Sequence, residues 1–287
     1  MKKKIFAIGL AIMLVFAMAG CGNDDQGGQT PYQMVNAAED KLNAADSVAY
    51  NMDVEMTITV PGEENAEESI SMKMTGDARQ EKVGENLYNL AYNMTTDMSS
   101  MGLGSVDMEM YYTDGYMYYN TPAYEQKYKV PMDMETALKE ANSSALEDIT
   151  EDMILESSAT AEGDGQVVNM LLDGTKMTDV VTDMMGDMSG FVSGTEAPNI
   201  TIANVPYVVH LDADGNLTSL NTVVEMTLNI EGQEMKMGMN LTMDVTAVGN
   251  VPVDLPDDLA DYPEMDDMLE LDGADAADAD ADVPAEQ

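Results

Sequence analysis

Apolar residues alternate with small or polar ones along much of the chain. The clearest example runs from position 48 to position 60, where the odd positions carry residues such as Asn51, Asp53 and Thr57. The even positions are all apolar: Val48, Tyr50, Met52, Val54, Met56, Ile58 and Val60. A period of two places these residues on one side of a β-strand, so the segment predicts a strand of an antiparallel sheet with one dry face and one wet face.

The same alternation recurs in five further segments, at residues 70–78, 88–98, 106–112, 222–230 and 235–247. Turn residues separate neighbouring segments. Asp114-Gly115 lies between two tyrosine-rich stretches, and Glu231-Gly232-Gln233 lies between the last two segments. Short loops of this composition between alternating runs predict β-hairpins.

Three segments change to helical spacing. The first covers residues 31–46, with Thr30 as the expected N-cap and Pro31 as the first helical residue. A second helix is expected to begin at Asp133, and Thr175 is expected to cap a third. The apolar stripe of the third comprises Met177, Val180, Val181, Met184, Met185 and Met188. The order of elements predicts a mainly β protein with helices (α+β), built on an antiparallel sheet.

The first twenty residues have the composition of an export signal. Lysines occupy positions 2 to 4, residues 5–18 are almost purely apolar, and Ala19-Gly20 precedes Cys21. The apolar stretch is shorter than the roughly 20 residues that a membrane-spanning helix needs, which favours a cleaved signal peptide over residues 1–20. An ordinary secretory signal followed by a chance cysteine is the alternative to a lipoprotein signal.

The segment Met18-Ala19-Gly20-Cys21 resembles a lipobox, with methionine where leucine is usual. That resemblance implies cleavage before Cys21 and a diacylglyceryl group on its sulfur. Cys21 is the only cysteine of the chain, so no disulfide can form within it. Two acyl chains on one residue are enough for stable anchoring, which predicts a protein held at the extracytoplasmic face of the cell membrane.

Acidic residues dominate the chain after this signal. The three signal lysines are among its twelve basic residues, so the mature chain carries nine basic and 54 acidic residues. Such a charge repels phosphate backbones and anionic headgroups, which excludes nucleic acid as a partner. We expect a lipidated cysteine and flexible tether at 21–30 and one folded domain at 31–253. Residues 254–287 are rich in Asp and Ala and are predicted to be an acidic disordered tail.

No residue pattern indicates an enzyme. His210 is the only histidine and lies in an apolar, strand-like segment, so histidine-based metal centres and most serine triads are excluded. The carboxylates are too numerous for any pair to stand out, and no glycine-rich phosphate loop is present. We therefore expect neither catalytic residues nor a cofactor.

One short segment has the opening spacing of a calcium-binding loop. Its candidate ligands are Asp212, Asp214 and Asn216. Position twelve of such a loop requires a glutamate, and here it is Val223. A type I turn followed by a glycine in a hairpin explains the same residues, so we expect no metal here.

Methionine is unusually frequent, with 29 in the chain. Three interpretations stay open. The methionines fill the core in place of Val, Ile and Leu; or they line a plastic apolar cavity that accepts variable acyl chains; or Met-x-Met pairs bind Cu(I), although the histidines usual in exported copper carriers are missing. The candidate lining of an apolar cavity is Met52, Met56, Met72, Met110, Met184, Met188, Met237 and Met239.

The order of the predicted elements and the lipobox resemble those of the LolA and LppX class of bacterial lipoproteins. The short helix at 31–46 followed by the methionine-bearing strand at 47–60 is also similar to the start of uncharacterised Gram-positive membrane-anchored lipoproteins. The resemblance covers about residues 31–250. It implies a curved antiparallel sheet, or half-barrel, wrapped around a few helices. It also implies an apolar cavity that in several relatives holds lipid or acyl chains, and no catalytic residues.

These observations predict a non-enzymatic, lipid-anchored protein that binds an apolar ligand such as a lipid in a methionine-rich cavity. The alternative is a structural or interaction module of the cell envelope, with a filled core and no small-molecule ligand. The partners expected are the membrane, through the diacylglyceryl group on Cys21, and the apolar ligand.

Overall fold

The structure is a computed structural model, and it describes residues 29–61, 67–84, 87–133, 149–178, 199–230 and 233–265. Several predictions fall outside these residues. They include the signal peptide, Cys21, the second helix after Asp133, the stripe of the third helix with Met184 and Met188, and the end of the acidic tail.

Helix α1 (Pro31–Asn43) begins where the sequence predicts. The hydroxyl of Thr30 accepts a hydrogen bond from the Gln33 backbone N–H at 3.2 Å, and the Gln33 side chain accepts one from the Thr30 backbone N–H at 3.0 Å. Pro31 occupies the first turn, where its missing N–H costs nothing. This capping box confirms the predicted N-terminus, while the helix ends three residues before the predicted Asp46.

Twelve strands make up most of the described chain. They are β1 (Ser47–Pro61), β2 (Glu67–Gly84), β3 (Leu87–Asp97), β4 (Ser105–Thr113), β5 (Tyr116–Thr121), β6 (Gln126–Pro131), β7 (Ile154–Glu162), β8 (Gly165–Leu172), β9 (Asn199–Ile202), β10 (Val205–Leu211), β11 (Leu217–Ile230) and β12 (Gln233–Val248). All six segments with period-two alternation are strands, which confirms those predictions. The fold is mainly β with helical segments.

The strands form one open, curved antiparallel sheet in the order β6-β5-β4-β3-β2-β1-β12-β11-β10-β8-β7. β9 lies in line with β10 along the same edge of β11. Strand β12 pairs with β1, so the two ends of the domain meet at the middle of the sheet. At the β4–β5 hairpin, Asp114 and Gly115 both have positive φ, as a two-residue type I′ turn requires.

The sheet has two distinct faces. The inner face carries Tyr50, Met52 and Val54 of β1 and their cross-strand neighbours, and α1 packs on it over β7, β8 and β11. The outer face carries the polar residues that alternate with them, such as Asn51 and Asp53. Residues directly opposite each other in neighbouring antiparallel strands share a face. The register therefore shows on which of the two faces of the sheet each side chain lies.

The third predicted helix begins two residues earlier than expected and has a different cap. Residues 174–178 are helical, and the Asp173 carboxylate accepts a hydrogen bond from the Thr175 backbone N–H at 2.8 Å. Asp173 therefore caps the helix, and Thr175 lies inside its first turn. Among the described residues, no helix is long and apolar enough to cross a membrane.

The predicted tail begins too early at residue 254. Residues 251–265, which we call the outer strap, cross the outer face of the sheet, where Val253, Leu259 and Tyr262 are buried against Tyr111 and Tyr118. Strand β6 also pairs with the strap, because the Lys129 backbone N–H donates to the Pro263 carbonyl at 2.8 Å. The segment has few apolar residues, but their spacing allows them to pack on the sheet. The free energy gained from their burial holds the segment in place despite its acidic composition.

Candidate functional site

The inner face divides into two regions of different burial. Beneath α1, side chains of β8 to β11 are almost completely buried: Val168 and Val209 are 0% exposed and Leu172 is 1% exposed. The helix contributes Val35 and Ala38 to the same cluster. Over β1 to β6, many inner-face side chains stay half-buried, and we call this region the open half of the inner face.

Five of the predicted cavity methionines come together on the sheet. Met56 of β1 lies opposite Met72 of β2 on one side and Met239 of β12 on the other. Met237, opposite Ile58, lies one row to one side of this group, and Met52 lies two rows to the other side, beyond the Val54 row. Met56 is buried, whereas the other four are half-buried and pack against the main core cluster. Met110 belongs instead to a separate cluster around Leu90, Tyr112 and Met117.

A single row of side chains begins on β12, next to the open half, and crosses the open half to β6. Successive members are directly opposite one another: Val245, Tyr50, Ala78, Tyr92, Met110, Tyr119 and Tyr128. We call it the tyrosine row. Its last two rings are stacked, with centroids 5.0 Å apart. The cavity lining predicted from the sequence included Met110 but none of these tyrosines.

Strand β2 places its smallest residues at the centre of the open half. Gly76 lies between Met52 and Met94, and Ala78 lies between Tyr50 and Tyr92. A Cβ atom at Gly76 would approach the carbonyl oxygen of Asn93 to 2.4 Å, so β2 and β3 come together too closely there for any other residue. The small side chains form a shallow trough with taller methionines and tyrosines on both sides.

The two central tyrosines lie on either side of Ala78, with Tyr50 on β1 and Tyr92 on β3. Burial, together with the neighbouring Tyr92 hydroxyl, raises the pKa of Tyr50 well above its ordinary value. Burial also raises the pKa of Tyr92, so both phenols stay protonated at neutral pH.

A carboxyl group lies between α1 and the sheet. The hydroxyl of Tyr207 on β10 donates to Oε1 of Glu39 on α1 at 3.2 Å. Burial raises the pKa of Glu39 to about 7, the bond from Tyr207 lowers it and Asp40 adds to the rise. Helical spacing from Val35 through Ala38 places Glu39 on the apolar side of α1. That spacing is the signal from which this residue could have been predicted.

Basic side chains lie elsewhere on the molecule. No Lys or Arg among the described residues is buried, and none occupies an inner-face row from Tyr50 to Ile58. On the outer face, Lys73 pairs with Asp53 at 2.9 Å and with Glu55 at 3.1 Å. Lys127 pairs with Asp258 of the outer strap. Within these described rows the inner face therefore presents thioether, aliphatic and phenolic groups without a cation, and Lys82 of β2, opposite Tyr88, lies beyond them.

The candidate calcium loop is a hairpin turn held by its own hydrogen bonds. Oδ1 of Asp212 accepts from the backbone N–H groups of Asp214 and Asn216, and Oδ2 accepts from the Asn216 side chain at 2.9 Å. These bonds from Asn216 and Asp214 lower the pKa of Asp212. The ammonium of Lys41 binds the carbonyl oxygens of Asp214 and Gly215. The Asp212 carboxylate is thus occupied by N–H groups of its own turn, and the Lys41 ammonium lies beside that turn.

The described part of the chain contains no group of three or more His, Cys, Asp or Glu residues arranged to hold a metal ion. His210 on β10 contacts Glu162 at 3.0 Å through Nδ1. Both side chains are well exposed, so the pair is a surface contact.

Three solved structures illustrate the similarity of the chain to known folds. The ywiB protein of Bacillus subtilis is 11% identical, with 72% of this chain and 99% of that chain covered and a TM-score of 0.20. A putative outer membrane lipoprotein-sorting protein domain of Vibrio parahaemolyticus is 8% identical, with 81% and 96% covered and a TM-score of 0.20. The LolA superfamily protein NE2245 of Nitrosomonas europaea is 12% identical, with 81% and 97% covered and a TM-score of 0.20.

The last of these structures is named as a LolA superfamily protein. None of the curated proteins matches the chain in sequence. A match to a protein family covers residues 30–261, from the N-cap of α1 through β12 and most of the outer strap. That family is described as a family of unknown function, DUF6612. The chain belongs to the DUF6612 family.

Proposed function

We propose that this protein is a non-enzymatic lipoprotein of the extracytoplasmic membrane face that binds an apolar ligand on the open half of its inner face. One observation carries the proposal. Met52, Met72, Met94, Met108 and Met110 occupy inner-face positions on four adjacent strands and are all only half-buried. Covering such side chains with an apolar ligand stabilises the complex by roughly 25 cal/mol for each Å² removed from water.

The chemistry of this face suits a ligand of variable shape. Methionine has three rotatable bonds and a polarisable sulfur, so its side chain adapts to irregular surfaces. The gap at Gly76, between the half-buried Met52 and Met94, provides space among taller side chains for methylene groups of a ligand. A fatty acyl chain fits both properties, and the predicted attachment at Cys21 would hold the protein beside a membrane that contains such chains.

The alternative function is a structural module of the cell envelope whose methionines only fill its core. Met56 and Met74 favour it, because they are 4% and 6% exposed and leave no surface for a ligand. The two functions differ in what a polar substitution does. On a filled, ligand-free face it changes stability alone, whereas on a binding face it also lowers the affinity for apolar probes.

Probe binding tests the proposal. The protein from residue 21 onward, with Cys21→Ser, lacks both the apolar signal and the acyl chains, which would otherwise bind the probe themselves. We expect it to bind the uncharged fluorophore N-phenyl-1-naphthylamine. The double variant Met52→Gln/Met94→Gln keeps the side-chain length on both sides of Gly76 and adds polarity, so it should lose about tenfold or more in affinity.

The matched control is Thr57→Gln/Thr75→Gln, which changes exposed outer-face positions on β1 and β2. It should bind the probe as the parent does. Absence of probe binding by the parent, or equal affinity in the two double variants, would contradict the proposal and favour the structural module.

The membrane anchor requires its own experiment. Cells that express the full precursor are labelled with an alkyne fatty acid, and the label on the protein is detected after coupling to a fluorophore. We expect the parent to be labelled and Cys21→Ser to be unlabelled and uncut. Labelling of the Cys21→Ser protein would disprove attachment at this sulfur.

A further inference from the structure

Resting on the membrane anchor of the proposed function, we propose that Met101, Leu103 and Tyr124 form an apolar tip that inserts into the surface of an uncharged lipid bilayer. Met101 and Leu103 belong to the β3–β4 loop, and Tyr124 belongs to the β5–β6 loop. Because β4 pairs with β5, the two loops are neighbours at the same end of the sheet. The three side chains are 40%, 64% and 61% exposed.

The β3–β4 loop is held by hydrogen bonds in a shape that leaves its apolar side chains outside. The backbone N–H of Met98 donates to the Gly104 carbonyl at 2.8 Å, which closes the loop, and the Met98 side chain is buried. The backbone N–H of Ser71 on β2 donates to the Ser100 hydroxyl at 3.2 Å and fixes the loop against the sheet. The loop therefore holds its part of the apolar tip away from the core, exposed to whatever lies beyond this end of the sheet.

The apolar tip is uncharged on an otherwise acidic chain. Residues 98–106 contain no Asp, Glu, Lys or Arg, and neither do residues 115–124, although 23% of the chain is charged. Exposed Leu, Met and Tyr side chains suit the boundary between lipid headgroups and acyl chains, where tyrosine is enriched. The 54 acidic residues of the chain repel anionic headgroups, so the surface that fits the tip is a bilayer without net charge.

The helix that follows the membrane tether points to the same end of the sheet. α1 finishes at the opposite end, where the Lys41 ammonium binds the Asp214 carbonyl at 2.6 Å in the β10–β11 turn. Two residues earlier, Glu39 contacts Tyr207 in the middle of β10. The axis of α1 therefore runs back along β10 over about 20 Å, and the helix begins towards the end that carries the apolar tip. The predicted anchor at Cys21 precedes the helix by ten residues, so it would hold this end beside the membrane.

The opposite end of the sheet also exposes apolar side chains, but it lacks this context. Val83 and Leu87 flank the β2–β3 connection and are 53% and 60% exposed. They lie next to the charged Lys82, at the end where α1 finishes. A bilayer held by the tether should therefore reach the apolar tip and not Leu87, which provides a matched control of the same residue type.

Tryptophan fluorescence tests the inference, because the chain contains no tryptophan of its own. The protein from residue 21 onward is coupled through the Cys21 thiol to a maleimide phospholipid in phosphatidylcholine vesicles. This coupling reproduces the predicted tether without requiring lipidation in cells. We expect blue-shifted emission from the Leu103→Trp variant, with quenching by brominated phosphatidylcholine at least about threefold stronger than in the Leu87→Trp variant.

Two further changes, each added to Leu103→Trp, separate the tip from the ligand site. Met101→Ser/Tyr124→Ser removes the rest of the apolar tip and should reduce the quenching about twofold or more. Met52→Gln/Met94→Gln weakens the proposed ligand site and should leave the quenching unchanged. Loss of quenching in that second background would mean that the signal comes from lipid bound on the open half, and it would overturn the inference.

Equal quenching at positions 103 and 87 would also overturn the inference while leaving the proposed ligand site intact. A blue shift of the Leu103→Trp protein without vesicles, together with sedimentation that depends on protein concentration, would assign the tip to a contact between two copies of the chain instead. Failure of the parent to bind N-phenyl-1-naphthylamine would reject the proposed apolar ligand, and the quenching expected at the tip would still stand.

Discussion

The two halves of the sheet are covered from opposite sides. Strands β8 to β11 receive α1 on the inner face, where Val168 and Val209 are fully buried. Strands β3 to β5 receive the outer strap on the outer face, where Tyr111 and Tyr118 are buried against Leu259 and Tyr262. The first half uses its inner face to build the main core. The second half builds a core behind the sheet, and on its inner face Tyr112 and Met117 are buried whereas Met94, Met110 and Tyr119 stay half-buried.

The outer strap is expected to contribute most to the stability of the second half. A chain that ends at Asp254 loses the burial of Leu259 and Tyr262 and the Lys127–Asp258 pair. Its free energy of unfolding should fall by roughly 3–6 kcal/mol, at about 1.5–3 kcal/mol for each buried apolar side chain. A chain that ends at Met265 keeps the strap and serves as the control. Equal urea midpoints for the two truncated chains would show that the strap does not stabilise the sheet.

Alanine substitutions distinguish the two halves directly. Leu172→Ala opens a cavity beneath α1 at a side chain that is 1% exposed, and it should cost about 2–5 kcal/mol. Met72→Ala on the open half should cost roughly 1 kcal/mol, because its side chain is already half in water. Chemical denaturation of the ligand-free parent and variants measures both changes in the free energy of unfolding. Similar costs at the two positions would mean that the open half is packed as tightly as the covered half.

The close approach of β2 and β3 can be tested at one glycine. Gly76→Ala places a methyl group against the Asn93 carbonyl oxygen and should destabilise the protein by about 1–3 kcal/mol through overpacking. Gly238→Ala on β12 meets no atom within 4 Å and should change stability by less than about 0.5 kcal/mol. Thermal unfolding monitored by circular dichroism would compare the two. A Gly76→Ala protein as stable as the parent would argue against the trough.

The Glu39 carboxyl should make the covered half sensitive to pH. Its pKa rises from 4.5 to about 7 on folding, so the folded state holds the proton more tightly than the unfolded state. This contribution to stability is present in full below the unfolded value and is lost as the pH rises towards about 7. Glu39→Gln, which still accepts from Tyr207, should therefore be more stable than the parent above neutral pH by roughly 1–2 kcal/mol.

The measurement is the urea midpoint at acidic and at alkaline pH. The gain from Glu39→Gln should vanish on the acidic side, where the parent carboxyl is also neutral. Asp212→Asn is the contrasting variant, because hydrogen bonds lower the pKa of Asp212, and its ionised form stabilises the turn except at low pH. It should lose stability at neutral pH. A gain from Glu39→Gln of the same size at both pH values would assign the effect to packing.

Local patterns predicted most of the fold. Alternation located β1, β2, β3, β4, β11 and β12, because a half-wet sheet forces a period of two on its residues. The Asp114-Gly115 turn and the Thr30 cap could also be predicted from the sequence, because a few adjacent residues determine each of them. The five grouped methionines followed from the same alternation once the strands were paired in register.

The remaining features depend on contacts that the sequence pattern does not reveal. The strap has an acidic composition typical of disorder, and only Tyr111 and Tyr118 on distant strands give Leu259 and Tyr262 somewhere to pack. Tyr50 and Tyr92 lie on either side of Ala78, so their proximity requires the register of three strands. Helical spacing places Glu39 on an apolar side, but its partner Tyr207 lies on β10, near the far end of the chain.

The most direct test of the account is to map where an acyl ligand attaches. A monoacylglycerol with a diazirine in its chain is bound to the protein from residue 21 onward, with Cys21→Ser, and irradiated; the adducts are located by peptide mass spectrometry. We predict adducts on inner-face residues of β1 to β4, such as Met52, Met94 and Met110, that excess monododecanoylglycerol suppresses. Adducts confined to the outer face, or insensitive to the competitor, would contradict the assignment of the open half as the binding surface.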